Sequence, residues 1–150
     1  MAIQSMLTPA DVLYEQDFLA WTEMMAAALE THSARDLDWA HLAEEIRDLG
    51  ISQKSALQSH LENVQLHLMK WQIQPVRRSR SWEDSISKSR REIDVLLDSF
   101  PSLRTCLLQN FERCHGRAWR RALGETHLPA NTPCPRWTLE QVLDPGFLPE

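Results

Sequence analysis

Between Pro9 and Pro129 the chain meets only two prolines, Pro75 and Pro101, and its 150 residues include just four glycines. A chain so short of both breakers has few places to turn sharply, so it reads as long helices joined near the prolines. The apolar spacing agrees. Leu13, Asp17, Trp21, Met24 and Ala28 follow at steps of four, four, three and four, and Leu57, Leu61, Val64, Leu68 and Trp71 follow in heptad spacing. No stretch sustains the alternation of apolar and polar residues that a half-buried strand needs.

Cap chemistry divides this pattern into elements. Thr8-Pro9-Ala10-Asp11 places a threonine at the N-cap, a proline at N1 and an acid at N3, and predicts a helix running to about Thr31. Asp38 caps a second helix, which Gly50 ends as a C′ glycine would. Ser52 opens a third, which must stop before Pro75 because Gln74 is disfavoured in the helical conformation. After the basic connector 75–80, Ser81-Trp82-Glu83-Asp84 reads as a capping box opening a fourth helix, with Trp82, Ile86, Arg90, Ile93 and Leu97 on its stripe. Pro101 opens a fifth, with Leu103, Leu107, Phe111 or Cys114, and Ala118 inward, frayed by Gly124. Five of the eight prolines lie from Pro129 onward, so the tail fits one short helix, about Thr138 to Leu143, with Trp137 as its hydrophobic staple. The expected fold is a single all-α domain over residues 1–150, an antiparallel bundle of about five helices with a largely irregular, Pro-rich tail at 129–150.

Composition narrows the setting. Hydrophobic residues at 43% and charged residues at 25% are those of a globular chain long enough to bury a core. Cys106, Cys114 and Cys134 are odd in number and form no CxxC pair, which speaks against a disulfide framework or zinc ribbon. The opening MAIQSMLTPADV has neither a basic nor an apolar leader segment, and no apolar run approaches membrane-spanning length. A cytoplasmic protein without a membrane segment is therefore expected.

The formal net charge of −5 conceals an asymmetry. Residues 1–69 carry 3 basic and 11 acidic side chains, residues 70–121 carry 12 and 6, and residues 122–150 carry 1 and 4. Lys70, Arg77, Arg78, Arg80, Lys88 and Arg91 form a basic patch, with Arg113, Arg117, Arg120 and Arg121 as a second strip. Such a patch can bind polyanions, with non-specific nucleic acid as the partner class in the absence of a reading module, although nucleic-acid domains tend to be basic overall and this chain is acidic. An acidic half packed beside a basic half of one bundle explains the same asymmetry without a partner.

The chain resembles the bacterial "domain of unknown function 29" family over nearly its whole length. The residues that carry the resemblance are Tyr14-x2-Asp17-Phe18-x2-Trp21, Asp38-x3-Leu42-Ala43-Glu44-Glu45-Ile46, His67-Leu68-x-Lys70-Trp71, Ser81-Trp82-x3-Ile86-x3-Arg90, Pro101-Ser102-Leu103 and Glu125-Thr126. Pro133-Cys134-Pro135, Leu143-Asp144-Pro145 and Phe147-Leu148-Pro149-Glu150 extend it through the tail. The resemblance implies a helical fold and a bacterial source, and no activity. It also implies Glu-Thr-Gly-Leu where this chain has Glu125-Thr126-His127-Leu128, so one turn lacks its glycine.

Four ionisable residues fall inside the apolar stripes: Asp17, Glu45, His67 and Arg90. Buried unpaired charges are costly, so these four are expected to meet one another. The meeting reads either as a network fixing helix register or as a ligand or catalytic pocket, with Asp17 or Glu45 as base, His67 as acid–base and Arg90 as anion clamp. Trp21, Trp71 and Trp82 lie on or beside the same stripes, as core residues or as a stacking wall for a planar ligand.

No metal or cofactor is expected. His60 and His67 are separated by a rise of about 10.5 Å, too far for one ion. His41 with Glu45, Asp38-x2-His41 and Glu112-x2-His115 are generic spacings. Cys106 and Cys114 read as small core residues, and no nucleophile, phosphate-loop or zinc-protease motif is present. The leading functional reading is an interaction or regulatory module that binds a protein partner or a second copy through a helix face. The pocket built on the Asp/Glu/His/Arg cluster is the alternative.

Overall fold

Asp17 divides the first predicted helix in two. In the computed structural model, which describes residues 8–150, α1 spans Pro9–Gln16 and α2 spans Phe18–Glu30. Residues 1–7, at the start of the segment read for a leader, lie outside the described residues. Thr8 and Asp11 form the predicted capping box of α1. Asp17 leaves the helical region, with φ −148° and ψ 82°; its N–H closes α1 on the Leu13 carbonyl while its carboxylate accepts the Ala20 N–H as the N-cap of α2. One residue thus serves two helix ends, by its backbone at the first and its side chain at the second, and the apolar period continues across the single-residue break.

At the end of α2, His32 takes a left-handed φ of 55°. The Ser33 N–H reaches the Ala28 carbonyl and the His32 N–H reaches that of Leu29, a Schellman closure made without glycine.

Helix α3 spans Trp39–Ile73, fusing the two helices expected on either side of Gly50. As expected, Asp38 caps it, accepting the His41 N–H. Gly50 has no positive φ and lies within the helix. A glycine inside a helix costs about 1 kcal/mol against alanine, and burying a leucine returns about 1.5–3 kcal/mol, so the fully buried Leu57, Leu61 and Leu68 further along outweigh it. The helix ends before Pro75, as predicted.

α4 spans Arg80–Ser99 and α5 spans Leu103–Thr126. Ser79, extended at φ −142°, caps α4 by accepting the Trp82 N–H, so the box starting at Ser81 is not the one used. Gly124 lies within α5, which ends at His127 in the left-handed conformation (φ 55°, ψ 26°). α6, Leu139–Leu143, carries the predicted capping box, Thr138 with Gln141.

The backbone divides into two compact units, one through Ile51 and one from Ser52. Among the described residues of the first, the buried apolar side chains are Trp21, Met25 and Ala28. The second is an all-α bundle in which Leu57, Leu61, Val64 and Leu68 of α3 pack with Ile86 and Ile93 of α4, Leu103, Leu107 and Cys114 of α5, and Val142 of α6. Leu66 and Met69 meet Ala118 and Ala122 in a smaller cluster, and Trp137 packs against both. The described residues contain no strand.

Candidate functional site

The four stripe residues each have a separate set of partners. Asp17 is exposed and engaged as a cap. Glu45 accepts the Tyr14 hydroxyl at 2.5 Å. His67, half-buried on α3, donates its Nδ1–H to the Asn63 carbonyl, 2.9 Å away. Arg90 is buried, and its guanidinium donates to the carbonyls of Val142 at 2.8 Å, Phe147 at 3.0 Å and Gln141 at 3.4 Å. The acid expected beside Arg90 is replaced by carbonyls at and just beyond the end of α6, which a five-residue helix cannot satisfy internally. Burial lowers the Arg90 pKa, and Asp144 partly offsets this.

The three tryptophans serve different contacts. Trp21 is buried in the first unit and donates Nε1–H to Asp38 at 3.3 Å. In the second unit Arg78 lies 5.1 Å from the Trp71 ring centroid and Lys70 lies 4.9 Å from that of Trp82. Those cations are members of the predicted basic patch. Lys70 also pairs with Glu125 at 2.8 Å, and Arg78 donates to the Trp71 carbonyl. Arg77, Arg80, Lys88 and Arg91 are exposed, interspersed with Glu83, Asp84, Glu92 and Asp94. Cys134 lies 3.9 Å from His115, but the imidazole is bonded to the Pro135 carbonyl at 2.8 Å, and burial raises the Cys134 thiol pKa. Burial pushes the Cys114 thiol to about 11. Neither cysteine is an activated nucleophile.

Among the described residues, one group of metal-ligating side chains lies together in the first unit. Asp11 from α1, Asp38 at the cap of α3 and His41 in the first turn of α3 bring their donor atoms within 4.8 Å of one another. His41 Nδ1 is 2.6 Å from Asp38 Oδ2 and 3.6 Å from Asp11 Oδ1. The Tyr14 ring stacks on the His41 imidazole with centroids 3.9 Å apart, and Trp21 meets Tyr14 edge-on. The hydrogen bond that His41 donates to Asp38 raises the His41 pKa against a smaller opposing effect of burial. Burial works against the Asp38 charge, but hydrogen bonds from His41 and Trp21 prevail and hold its pKa below the ordinary value. Glu45 pushes the Tyr14 phenol up to about 12, which makes it a donor and a poor base. An open cleft of about 660 Å³ adjoins the group, lined by Asp11, Asp38, Met24, Ala27, Leu37 and Trp39 among others.

Sequence reasoning treated Asp11 and Asp38 as caps and His41 as half of a generic pair. The i,i+3 spacing of Asp38 and His41 was a usable signal. Nothing in the spacing joins Asp11 to them, because the turn after α2 brings the two segments together.

The described helices include none long and apolar enough to cross a membrane. No curated protein and no solved structure matches the chain. Residues 13–148 match the family described as "Domain of unknown function DUF29", and the chain belongs to that family.

Proposed function

We propose that the protein is an interaction module whose first unit docks a basic, amphipathic helical segment of a partner protein. One observation carries this reading. Trp39, Leu42, Ile46 and Leu49 form a three-four-three apolar stripe on α3, and Trp39, Ile46 and Leu49 remain 63%, 67% and 69% exposed. Scattered exposed apolar residues are ordinary, whereas a stripe at helix-pairing register is the pattern of a helix-docking face.

Charge selects the occupant. Residues 1–51 hold ten acidic and two basic side chains, so two copies of this face repel each other and a cationic segment is attracted. The free cysteines fit the reducing cytoplasm, where we place this function. Lys70 and Arg78 are engaged within the fold, which leaves the first basic patch four exposed, acid-flanked cations and gives non-specific nucleic acid binding less support.

The test is anisotropy of a labelled helical peptide built from leucine and lysine heptads, titrated with the full chain. Binding should weaken as salt rises, and an equivalent leucine–glutamate peptide should not bind. Ile46→Glu with Leu49→Glu adds negative charge, so a purely electrostatic association would tighten, whereas stripe docking is lost. Unchanged or tighter binding by this variant, or no binding at low salt, overturns the reading. So does a dimer in light scattering that the variant dissociates, which would make a second copy the occupant.

A further inference from the structure

Two carboxylates in the first unit face a single imidazole nitrogen. The Asp38 side chain is only 6% exposed, and its hydrogen-bond donors are the Trp21 indole and the His41 backbone and ring. Among the described residues, no lysine or arginine pairs with Asp11 or Asp38. One imidazolium can neutralise one carboxylate, and the other, Asp11 at 27% side-chain exposure, is open to a cation from solution.

The orientation of the donors is fixed from outside the group. Thr8 occupies Asp11 Oδ2 through its N–H at 2.7 Å and its hydroxyl at 2.8 Å, leaving Oδ1 as the oxygen nearest His41. Trp21 holds Asp38, and Tyr14 stacks flat on the imidazole. Outer contacts that lock ring and carboxylate orientation are what metal ligands require.

We propose that Asp11, Asp38 and His41 bind one divalent transition-metal ion of the zinc and cobalt class. Two oxygens and one imidazole nitrogen are too few oxygens for calcium, which takes six to eight, and suit an ion that accepts nitrogen and oxygen at about 2.0–2.2 Å. The ion replaces the proton held between His41 and Asp38. The 2.6 Å contact then opens to the separation of about 3.3 Å between neighbouring ligands of a tetrahedral ion. Three protein ligands leave one position for water or for a ligand in the adjoining cleft.

The probe is cobalt(II), added to untagged, chelator-stripped full-length protein and followed by its visible absorption, with zinc as competitor and thermal melting as a second readout. One equivalent should bind, zinc should displace it, and either metal should raise the melting temperature. His41→Gln should weaken binding at least about tenfold. Asp38→Asn should do the same while keeping a residue able to cap α3. Circular dichroism of the metal-free variants verifies that they fold, and in wild-type protein the His41 ring resonances should show the largest paramagnetic shifts. Absence of saturable binding overturns the proposal. So does equal binding by folded His41→Gln protein, or paramagnetic shifts centred on His60, His67 or His115.

Discussion

His127 closes α5 in a left-handed conformation that costs an L-amino acid about 1–2 kcal/mol. Its side chain is exposed, so glycine at this position gives up little packing. His127→Gly is expected to stabilise the protein by about 0.5–1 kcal/mol in urea unfolding, after the extra backbone entropy of glycine is charged against it. The family resemblance had marked this as the turn that lacks its glycine, and the backbone angle supplies the reason glycine suits it. Arg90 gives the opposite sign. Its burial was legible from its place between Ile86 and Ile93, but its partners were not, because every residue carries a carbonyl and no side-chain pattern points to these three. Arg90→Met leaves those carbonyls without their donor and is expected to cost about 2–4 kcal/mol. A limited-proteolysis time course should show early cleavage between Pro129 and Phe147.

At the scale of elements, helix content follows from periodicity, while boundaries depend on local contests that periodicity does not register. Asp17 interrupts a helix without disturbing its apolar spacing. Ser79 and Ser81 are both able to cap, and the 3₁₀ turn at Pro75–Arg77 precedes the one that is used. Gly50 looks like a stop because glycine is common past helix ends, yet a stop also needs a reversal of the chain, and the packing of Leu57 and Leu61 pulls α3 onward. A methyl group at Gly50 meets nothing within 4 Å. Gly50→Ala should therefore add about 1 kcal/mol of stability and increase helicity by circular dichroism. The candidate site was legible only in parts. Its two acids were visible as caps, but their convergence on His41 is a tertiary event.

For the molecule as a whole, the second unit contains most of the buried apolar side chains of the described residues, together with a half-buried histidine, His67. Burial lowers the His67 pKa from its ordinary value of 6.5; the Asn63 carbonyl and Glu125 oppose this, while Lys70 and Arg121 add to it. The unfolded chain then takes up this proton at a higher pH than the folded one, so stability is full above about pH 6.5 and falls on acidification below it. His67→Gln removes the titration and keeps a hydrogen-bond donor for Asn63. It should flatten the decline in chemical-denaturation midpoint between about pH 7 and pH 5. A variant as acid-sensitive as wild type would assign the decline to other groups. The first unit, with three buried apolar side chains among its described residues, is expected to exchange its amide hydrogens faster than α4 and α5.

The clamp of Arg90 on α6 also has a consequence during synthesis. A ribosome that has completed α5 has made three helices whose shared core still lacks Val142, and an arginine on α4 whose acceptors do not yet exist. That unit can collapse while the chain grows, but it can close only after Phe147 has emerged. For that interval the nascent protein presents an apolar gap and an unpaired cation, the kind of surface that chaperones bind.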